Sequence, residues 1–213
     1  MPFFRFTSDF VYWTRLKEED HEKIKDILLP QIREKEKKEN HKGYFTNGDA
    51  LTSYFEKGGN DFLVKDELLN KIVWEPFDNM LNEYNKNGEY YNIKIKESMV
   101  AGGWYTSYKK NSIFGLHHHH TKVPILSDNT FYYSTFSFIY ILNDPNDNNS
   151  TSFTSYDTFF EAPCNNEVLY KTSKNKDIKE GSVLIFPSRL LHSVDIPEIE
   201  GRVTIAYNVY SSF

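Results

Sequence analysis

The sequence predicts an α+β protein, mainly β, in which N-terminal helices pack on one side of an antiparallel sandwich or barrel. Residues 1–88 carry two long segments with helical spacing of apolar residues. Residues 89–213 instead carry short runs rich in aromatic and β-branched residues, separated by Asn, Asp, Gly, Pro and Ser. At 213 residues the chain has the length of one domain with a well-covered core, so we expect a single domain over residues 1–213.

Two long helices are predicted in this helical N-terminal part. The first spans residues 17–38 and begins with three acidic residues, which the helix dipole favours in a first turn. Its apolar residues recur at helical spacing, at Ile24, Ile27, Leu28 and Ile32. The second spans residues 66–87, and residues 48–55 are interpreted as a short helix. Pro30 and Pro76 lie inside the two long segments and predict a kink, split or irregularity in each.

Alternation of apolar and polar residues predicts one strand, and short β-branched or aromatic runs predict the others. Residues 89–96 are predicted as a half-buried strand, because Tyr91, Ile93 and Ile95 alternate with polar residues. Further strands are predicted at residues 99–109, 113–120, 131–142, 168–172, 182–186, 191–194 and 203–210. Polar loops at residues 126–130 and 143–150 flank these strands and are candidates for substrate-recognising rims.

Composition excludes several classes of partner. The net charge of −5 and the pI of about 5.8 give no basic footprint for a nucleic acid. Cys164 is the single cysteine, which fits a reducing compartment and excludes an internal disulfide. No segment approaches the roughly 18 consecutive apolar residues of a membrane helix, and the N-terminus lacks the features of a signal peptide. We therefore expect a soluble, cytoplasmic protein without membrane or nucleic-acid partners.

A run of four consecutive histidines at residues 117–120 is the first candidate for a metal site. Neutral imidazole is a common ligand of Fe, Zn, Cu and Ni, and three protein ligands leave coordination positions open for other molecules. Residues two apart on a strand project to one face. Either His117 with His119, or His118 with His120, can therefore share one ion.

The end of the chain supplies the other candidates, His192 and Arg202. The donor fork of a guanidinium matches the two oxygens of a carboxylate, and an arginine buried in a barrel is costly without an anion. Thr204 faces the same way as Arg202 on the predicted strand and adds a hydroxyl donor. An expression tag or adventitious metal binding would explain the histidine run but not these later residues.

Five ordered features over residues 99–210 resemble the Fe(II)- and 2-oxoglutarate-dependent oxygenases, in particular the bacterial and phage-type branch related to prolyl hydroxylases. They are Trp104-Tyr105-Thr106-Ser107-Tyr108, the histidine run, Phe136-Ser137-Phe138-Ile139-Tyr140-Ile141-Leu142-Asn143, Asn149-Ser150-Thr151-Ser152-Phe153, and Glu180 to Ser188 followed by Leu191-His192-Ser193-Val194 and Arg202-Val203-Thr204. The fourth feature lies where the family usually has Gly-Gly-x-Thr-x-Phe, and both glycines are missing here.

The resemblance implies a double-stranded β-helix, or jelly roll, that uses Fe(II), the cosubstrate 2-oxoglutarate and O2. It implies that His192 is the distal metal ligand and that Arg202 and Thr204 hold the far carboxylate of the cosubstrate. A tyrosine, Tyr108 or Tyr105, is expected to donate to the cosubstrate from the neighbouring strand. Asn208 is a further candidate for the pocket.

The sequence departs from the family at the proximal ligands. The commoner motif is His-x-Asp, but no carboxylate lies two residues after any histidine of the run. The proximal pair must therefore be His-x-His. In the family, a tyrosine precedes the first ligand by about nine residues, and this spacing from Tyr108 selects His117 and His119 over the other pair.

The predicted activity is that of a dioxygenase which hydroxylates an unactivated C–H bond of an amino-acid, peptide or small-molecule substrate. Two other interpretations stay open. One is a cupin-like three-histidine metal dioxygenase that does not use 2-oxoglutarate, for which Arg202 is incidental. The other is a non-enzymatic jelly roll with a binding or structural role, which predicts that Arg202 and the histidine run face different sides of the sheet.

Overall fold

The computed structural model describes residues 3–6, 9–38, 46–47, 50–55, 66–87, 94–145, 151–154, 168–194 and 200–213. The helical elements are α1 (Glu18–Lys38), α2 (Asp66–Leu69), a π-helical turn (Asn70–Trp74), α3 (Glu75–Asn87) and short 3-10 turns at Ser53–Phe55 and Thr172–Lys174. The strands are β1 (Phe3–Phe6), β2 (Asp9–Arg15), β3 (Thr46–Asn47), β4 (Leu51–Thr52), β5 (Glu97–Ser107), β6 (Ile113–His117), β7 (Ile125–Ser127), β8 (Thr130–Asn143), β9 (Thr151–Thr154), β10 (Val168–Lys171), β11 (Ser182–Pro187), β12 (Leu191–Val194) and β13 (Val203–Ser212).

These strands form two antiparallel sheets. The large sheet has the order β1-β2-β11-β8-β13-β5-β4, with β7 paired to the start of β8, and the small sheet has the order β10-β9-β12-β6-β3. Strands far apart in sequence become neighbours, as when β13 pairs with both β5 and β8. Such an arrangement is typical of a jelly roll. Seven of the predicted strands are present, as β5, β6, β8, β10, β11, β12 and β13.

The two long helical segments form as predicted, but only one of their two prolines is accompanied by an irregularity. Pro30 lies inside the continuous helix α1, so it does not split this helix. The irregularity predicted near Pro76 is present, because the π-helical turn ends just before α3, of which Pro76 is the second residue. A proline lacks the N–H that would bond to the preceding turn, and a π-helical turn accommodates that loss.

The large sheet has apolar side chains on both faces. One face packs against α1 and α3 through a cluster that includes Ile24, Leu28 and Phe77. The other face packs against the small sheet, with Ile139 and Phe186 of the large sheet meeting Phe153 of the small one. The predicted packing of N-terminal helices on one sheet is therefore confirmed. Because the helices cover only the outer face of the large sheet, a site can lie between the two sheets.

Three parts of the sequence prediction differ from the structure. Residues 3–6 and 9–15 are strands, so the first 88 residues are not only helical; the short apolar run of β2 has neither helical spacing nor strict alternation, and such a run carries little periodic signal. The described part of residues 48–55 contains β4 and a 3-10 turn. The loop predicted at residues 126–130 is a β-hairpin, because Asp128 and Asn129 adopt the positive φ angles of 47° and 60° that a tight turn requires.

Some predictions fall outside the described residues. They concern most of the strand predicted at residues 89–96, Cys164, and most of the loop at residues 143–150. Residues 94–96 are described and precede the strand that begins at Glu97. Among the described helices, none has the length and apolar character needed to cross a membrane.

Candidate metal centre

Three histidines converge between the two sheets. His117, the last residue of β6, and His192 of β12 are direct partners across the small sheet, and their ring centroids are 4.2 Å apart. His119 follows β6, and its backbone N–H donates to the carbonyl of Ser188 over 2.9 Å. Its ring centroid lies 5.2 Å from that of His117 and 4.8 Å from that of His192. One potential ligand atom from each residue lies within 4.8 Å of the others, so the three side chains can hold one metal ion.

In all three histidines, the ring nitrogen Nδ1 takes part in a hydrogen bond. Nδ1 of His117 donates to the carbonyl of Gly115 over 2.7 Å, and Nδ1 of His192 donates to the carbonyl of Leu190 over 3.1 Å. Nδ1 of His119 bonds to Oδ1 of Asn208 over 3.1 Å. Each acceptor therefore selects the tautomer with hydrogen on Nδ1 and leaves the Nε2 lone pair for a metal, as outer partners do in metal sites.

Burial keeps these imidazoles neutral. It lowers the pKa of His117 to about 4 and that of His119 to about 3. It also lowers the pKa of His192 well below the ordinary value, and the neighbouring histidines add to this effect. Neutral imidazole is the form that binds a metal, so the site is prepared for a cation. The group contains no carboxylate, and an all-imidazole set suits Fe, Zn, Cu or Ni.

The other two histidines of the run lie outside this group. His118 and His120 are exposed and line a cavity that opens beside the three converging residues. The structure thus brings together the pair selected by the spacing from Tyr108, and not the pair of opposite parity.

Arg202 is completely buried, with an exposed fraction of 0 %. Its Nη2 donates to Oγ1 of Thr151 over 3.4 Å, whereas Nε and Nη1 have no hydrogen-bond partner among the described residues. Among the described residues, Asp144 is paired with this guanidinium, and its Oδ2 is 3.9 Å from Nε, which is too far for a hydrogen bond. Two unsatisfied donors on a buried cation are costly, and a ligand carboxylate would satisfy both.

A narrow inner pocket joins the histidines to the surroundings of this arginine. Its volume is about 20 Å³, and its lining includes all three histidines together with Tyr108 and Thr204. The ring of Tyr108 lies 5.3 Å from the guanidinium carbon of Arg202. Burial raises the pKa of Tyr108, so its hydroxyl stays protonated and can donate. Arg202 and the histidines therefore lie on the same side of the large sheet.

Tyr105 is not in this pocket. Alternation along β5 places Trp104 and Thr106 on the site face and Tyr105 on the opposite face, in the core that packs against the helices. Tyr105 and Tyr108 are three residues apart, so they project to opposite faces, and only Tyr108 is placed to donate to a cosubstrate.

Asn208 lies at the site, as a lining residue of the cavity beside the histidines. Its Oδ1 accepts from His119 and from the hydroxyl of Ser137, the latter over 3.2 Å. Asn208 therefore orients a histidine ring. Asp144 belongs to the polar loop predicted at residues 143–150, although its contact with Arg202 was not indicated, and no signal indicated Tyr54, which also lies at the site.

The outer cavity, as we name the opening in front of the histidines, has a volume of about 230 Å³. It is lined by Tyr54, Trp104, Phe114, residues 117–121 and Asn208. The ring of Trp104 contacts that of His119 edge-on, with centroids 5.0 Å apart. The ring of Phe114 contacts that of His117 in the same way at 4.6 Å. A group bound in this cavity therefore lies next to the position where the metal would sit.

A second group, His21, Glu22 and Glu180, also has ligand atoms within reach of one ion. Here a carboxylate oxygen of Glu180 already pairs with the ammonium of Lys25. The other oxygen accepts the backbone N–H of Asp144 over 2.7 Å, and His21 bonds to the hydroxyl of Tyr140 over 2.7 Å. These contacts fasten α1 to the large sheet, and we assign the group a structural role.

Comparison with known proteins identifies the fold. No family model and no curated protein matches the sequence. Among solved structures, AviO1 from Streptomyces viridochromogenes Tue57 is similar at a TM-score of 0.59 and 10 % identity, over 97 % of this chain and 91 % of that chain. The non-heme alpha-ketoglutarate-dependent carbocyclase SnoK from nogalamycin biosynthesis is similar at a TM-score of 0.54 and 12 % identity, over 95 % of this chain and 79 % of that chain.

A third similar structure is the viral collagen prolyl hydroxylase of Paramecium bursaria Chlorella virus-1 in its 2-oxoglutarate complex, at a TM-score of 0.50 and 12 % identity, over 94 % and 95 % of the two chains. Identities this low show a shared fold. The predicted resemblance is confirmed at that level: the chain has the double-stranded β-helix fold of the 2-oxoglutarate- and Fe(II)-dependent oxygenases.

Proposed function

We propose that this protein is an Fe(II)- and 2-oxoglutarate-dependent dioxygenase that hydroxylates an unactivated C–H bond of an amino-acid, peptide or small-molecule substrate. The observation that carries the proposal is the position of Arg202. Among the described residues, two of its buried donor atoms, Nε and Nη1, have no hydrogen-bond partner, and they lie on the same side of the sheet as three converging neutral histidines. The shared fold supports the same activity, because the similar carbocyclase and prolyl hydroxylase structures are named for alpha-ketoglutarate and 2-oxoglutarate.

The donor atoms of this chain match the chemistry of Fe(II) and of 2-oxoglutarate. His117, His119 and His192 would hold Fe(II) through Nε2, since their Nδ1 atoms are engaged. Arg202 would bind the far carboxylate of 2-oxoglutarate with Nε and Nη1, which have no hydrogen-bond partner in the described part of the chain, and Thr204 would add a hydroxyl. When bound, Fe(II) and 2-oxoglutarate supply the oxidation, in which O2 is consumed and the cosubstrate becomes succinate and CO2.

The remaining residues position and shield these groups. Tyr108 keeps its proton and can donate into the inner pocket, where it also covers one face of the guanidinium. Phe153 and Phe186 contact the ring of His192 from the core between the sheets, with centroids 6.1 and 4.8 Å away. These apolar contacts exclude water behind the metal position, which strengthens electrostatic interactions inside the site.

The proposal is tested by anaerobic titration of the Fe(II)-loaded protein with 2-oxoglutarate, monitored by the weak visible charge-transfer band of the chelate. We expect the band for the unchanged chain and its loss at modest cosubstrate concentration for Arg202→Ala. Arg189→Ala is the matched control, because Arg189 is an exposed arginine that pairs with Asp9 at the surface. Metal binding without the band, in the unchanged chain, would contradict the proposal.

The second candidate is a three-histidine metal dioxygenase that does not use 2-oxoglutarate. The three converging ligands in the described part of the chain are all imidazoles, and this donor set favours it. It predicts that the metal-loaded protein consumes O2 with a substrate while no succinate forms. It also predicts that Arg202→Ala leaves this O2 consumption unchanged, so the same variant separates the two functions.

A further inference from the structure

The outer cavity has the size of a small ring. Its volume is about 230 Å³, and an engineered protein cavity of about 150 Å³ is enough to bind benzene. The cavity can therefore take a six-membered ring with a short substituent. It lies directly in front of the converging histidines, since His117 and His119 belong to its lining.

Three aromatic side chains form its apolar walls. Tyr54 contacts Trp104 edge-on, with ring centroids 4.9 Å apart, and Trp104 in turn contacts His119. Phe114 contacts His117. Aromatic walls of this kind favour a ring or another compact apolar group, which gains edge or face contacts as well as burial. The walls touch two of the three histidines, so the bound group is held against the metal position.

The charge of the site determines which charged substituent a bound ring can have. Among the described residues that line the outer cavity there is no Asp, Glu, Lys or Arg, whereas the exposed imidazoles of His118 and His120 are part of its rim. The three ligand histidines are neutral, so a divalent metal with dianionic 2-oxoglutarate forms a centre of zero net charge. A carboxylate ligand would make that centre negative. An anionic substrate is therefore not repelled here, and the described lining offers no carboxylate to pair with a cationic one.

We propose that the outer cavity is the substrate site and binds a ring-sized apolar group that bears a carboxylate. The ring packs between Tyr54, Trp104 and Phe114, and the carboxylate accepts hydrogen bonds from His118 and His120. The inference rests on the proposed function, because it requires metal and 2-oxoglutarate in the inner part of the site.

The test uses the full chain loaded with redox-inert Zn(II) and saturated with 2-oxoglutarate, and measures probe binding by calorimetry. Phenylacetate is the probe. 2-Phenylethylamine keeps the ring but carries a positive charge, and acetate keeps the carboxylate but lacks the ring. We expect phenylacetate to bind at least about tenfold more tightly than either. Equal binding of the amine and the carboxylate would overturn the proposal, and so would weaker phenylacetate binding as 2-oxoglutarate is raised, since that result means competition for Arg202.

Variants locate the probe. Tyr54→Ala removes a partly exposed wall and should weaken phenylacetate binding by about tenfold, a loss of about 1.4 kcal/mol. The double variant His118→Ala/His120→Ala should remove the preference for the carboxylate over the amine. Tyr133→Ala is the control, because Tyr133 is similarly exposed but lies outside the outer cavity. If Tyr133→Ala matches the effect of Tyr54→Ala, the proposal is wrong.

The outcome is separable from that of the proposed function. Binding of 2-oxoglutarate to the Zn(II)-loaded chain is measured first, in the same sample. If 2-oxoglutarate binds and phenylacetate does not, the substrate class is wrong and the oxygenase assignment stands. If 2-oxoglutarate does not bind, the proposed function itself fails.

Discussion

His117 and His192 face each other as paired residues of two neighbouring antiparallel strands, with ring centroids 4.2 Å apart. His117 lies at the end of β6 and His192 lies within β12. In the sequence, β12 follows most of the strands of the large sheet. The metal site therefore exists only when this strand pair is in register. A shift by one residue would turn one of the two imidazoles to the opposite face.

Replacing His192 by Ala should abolish metal binding, whereas replacing His118 by Ala should preserve it. The first change removes one of three ligands, and the second removes a ring that is exposed and outside the ligand group. Affinity for Co(II), followed by its visible absorption, checks both variants. A loss of affinity in His118→Ala as large as that in His192→Ala would contradict the assigned register.

Replacing Asn208 by Leu should weaken metal affinity by roughly 10- to 100-fold, the usual cost of losing an outer hydrogen-bond partner of a metal ligand. The amide oxygen of Asn208 accepts from Nδ1 of His119 and holds this ring in the tautomer that exposes Nε2. Asn208→Asp keeps an acceptor at this place and should retain metal affinity. Calorimetry with Zn(II) compares the variants, and equal affinities for Leu and Asp would rule out the orienting role.

Replacing Asp144 by Asn should destabilise the cosubstrate-free protein and enlarge the stabilisation by 2-oxoglutarate. The Asp144 carboxylate is the buried counter-charge nearest to Arg202, and removing one member of a buried ion pair typically costs about 3–5 kcal/mol. A bound dicarboxylate restores the missing charge. We expect a lower Tm and a larger Tm increase on adding 2-oxoglutarate. Asp9→Asn, which breaks a surface pair with Arg189, should change the free energy of unfolding by no more than about 1 kcal/mol and leave the Tm increase on adding 2-oxoglutarate unchanged.

Alkaline pH should unfold the protein. Burial raises the pKa of Tyr12 and of Tyr170 to about 12, and raises the pKa values of Tyr140 and Tyr207 further. In the unfolded chain these phenols ionise near the ordinary pKa of 10.0, so above that pH the unfolded state binds fewer protons than the folded state. Stability is therefore complete below about pH 10 and falls as pH rises through 10 toward 12.

Absorbance at 295 nm and near-UV circular dichroism measure this transition together. The buried phenols should ionise only as tertiary structure is lost. Tyr207→Phe removes a buried hydroxyl that has no hydrogen-bond partner among the described residues, and should move the midpoint to higher pH. Tyr133→Phe, at an exposed position, should leave it unchanged. Ionisation of all tyrosines before unfolding would contradict the prediction.

Much of the fold was predictable because periodicity is a strong signal in this chain. Apolar spacing identified α1, and short β-branched or aromatic runs between loop-forming residues identified the seven strands around the site. The run Phe10, Val11 and Tyr12 in β2 is of the same aromatic and β-branched kind, but it lies in the N-terminal part that was predicted to be helical, and the run was not predicted as a strand. Its place beside β11 depends on long-range pairing, which periodicity does not encode.

The site was predictable where strand parity applied. Parity left two choices for the histidine pair, and it would also have separated Tyr108 from Tyr105 had it been applied to them. The role of Asp144 was not predictable, because it depends on a distance of 3.9 Å to Arg202, which is far away in the sequence. The predicted cytoplasmic location and the expected lack of nucleic-acid and membrane partners stay predictions.

Strand β2 has a practical consequence for anyone who shortens the protein. It pairs along β11, whose residues Ser182–Pro187 are all buried, so the N-terminal segment completes the large sheet as well as supplying helices. A fragment that starts at residue 89 would leave the backbone donors and acceptors of β11 open to other chains. Such a truncation is expected to self-associate, and soluble expression will need the first strands.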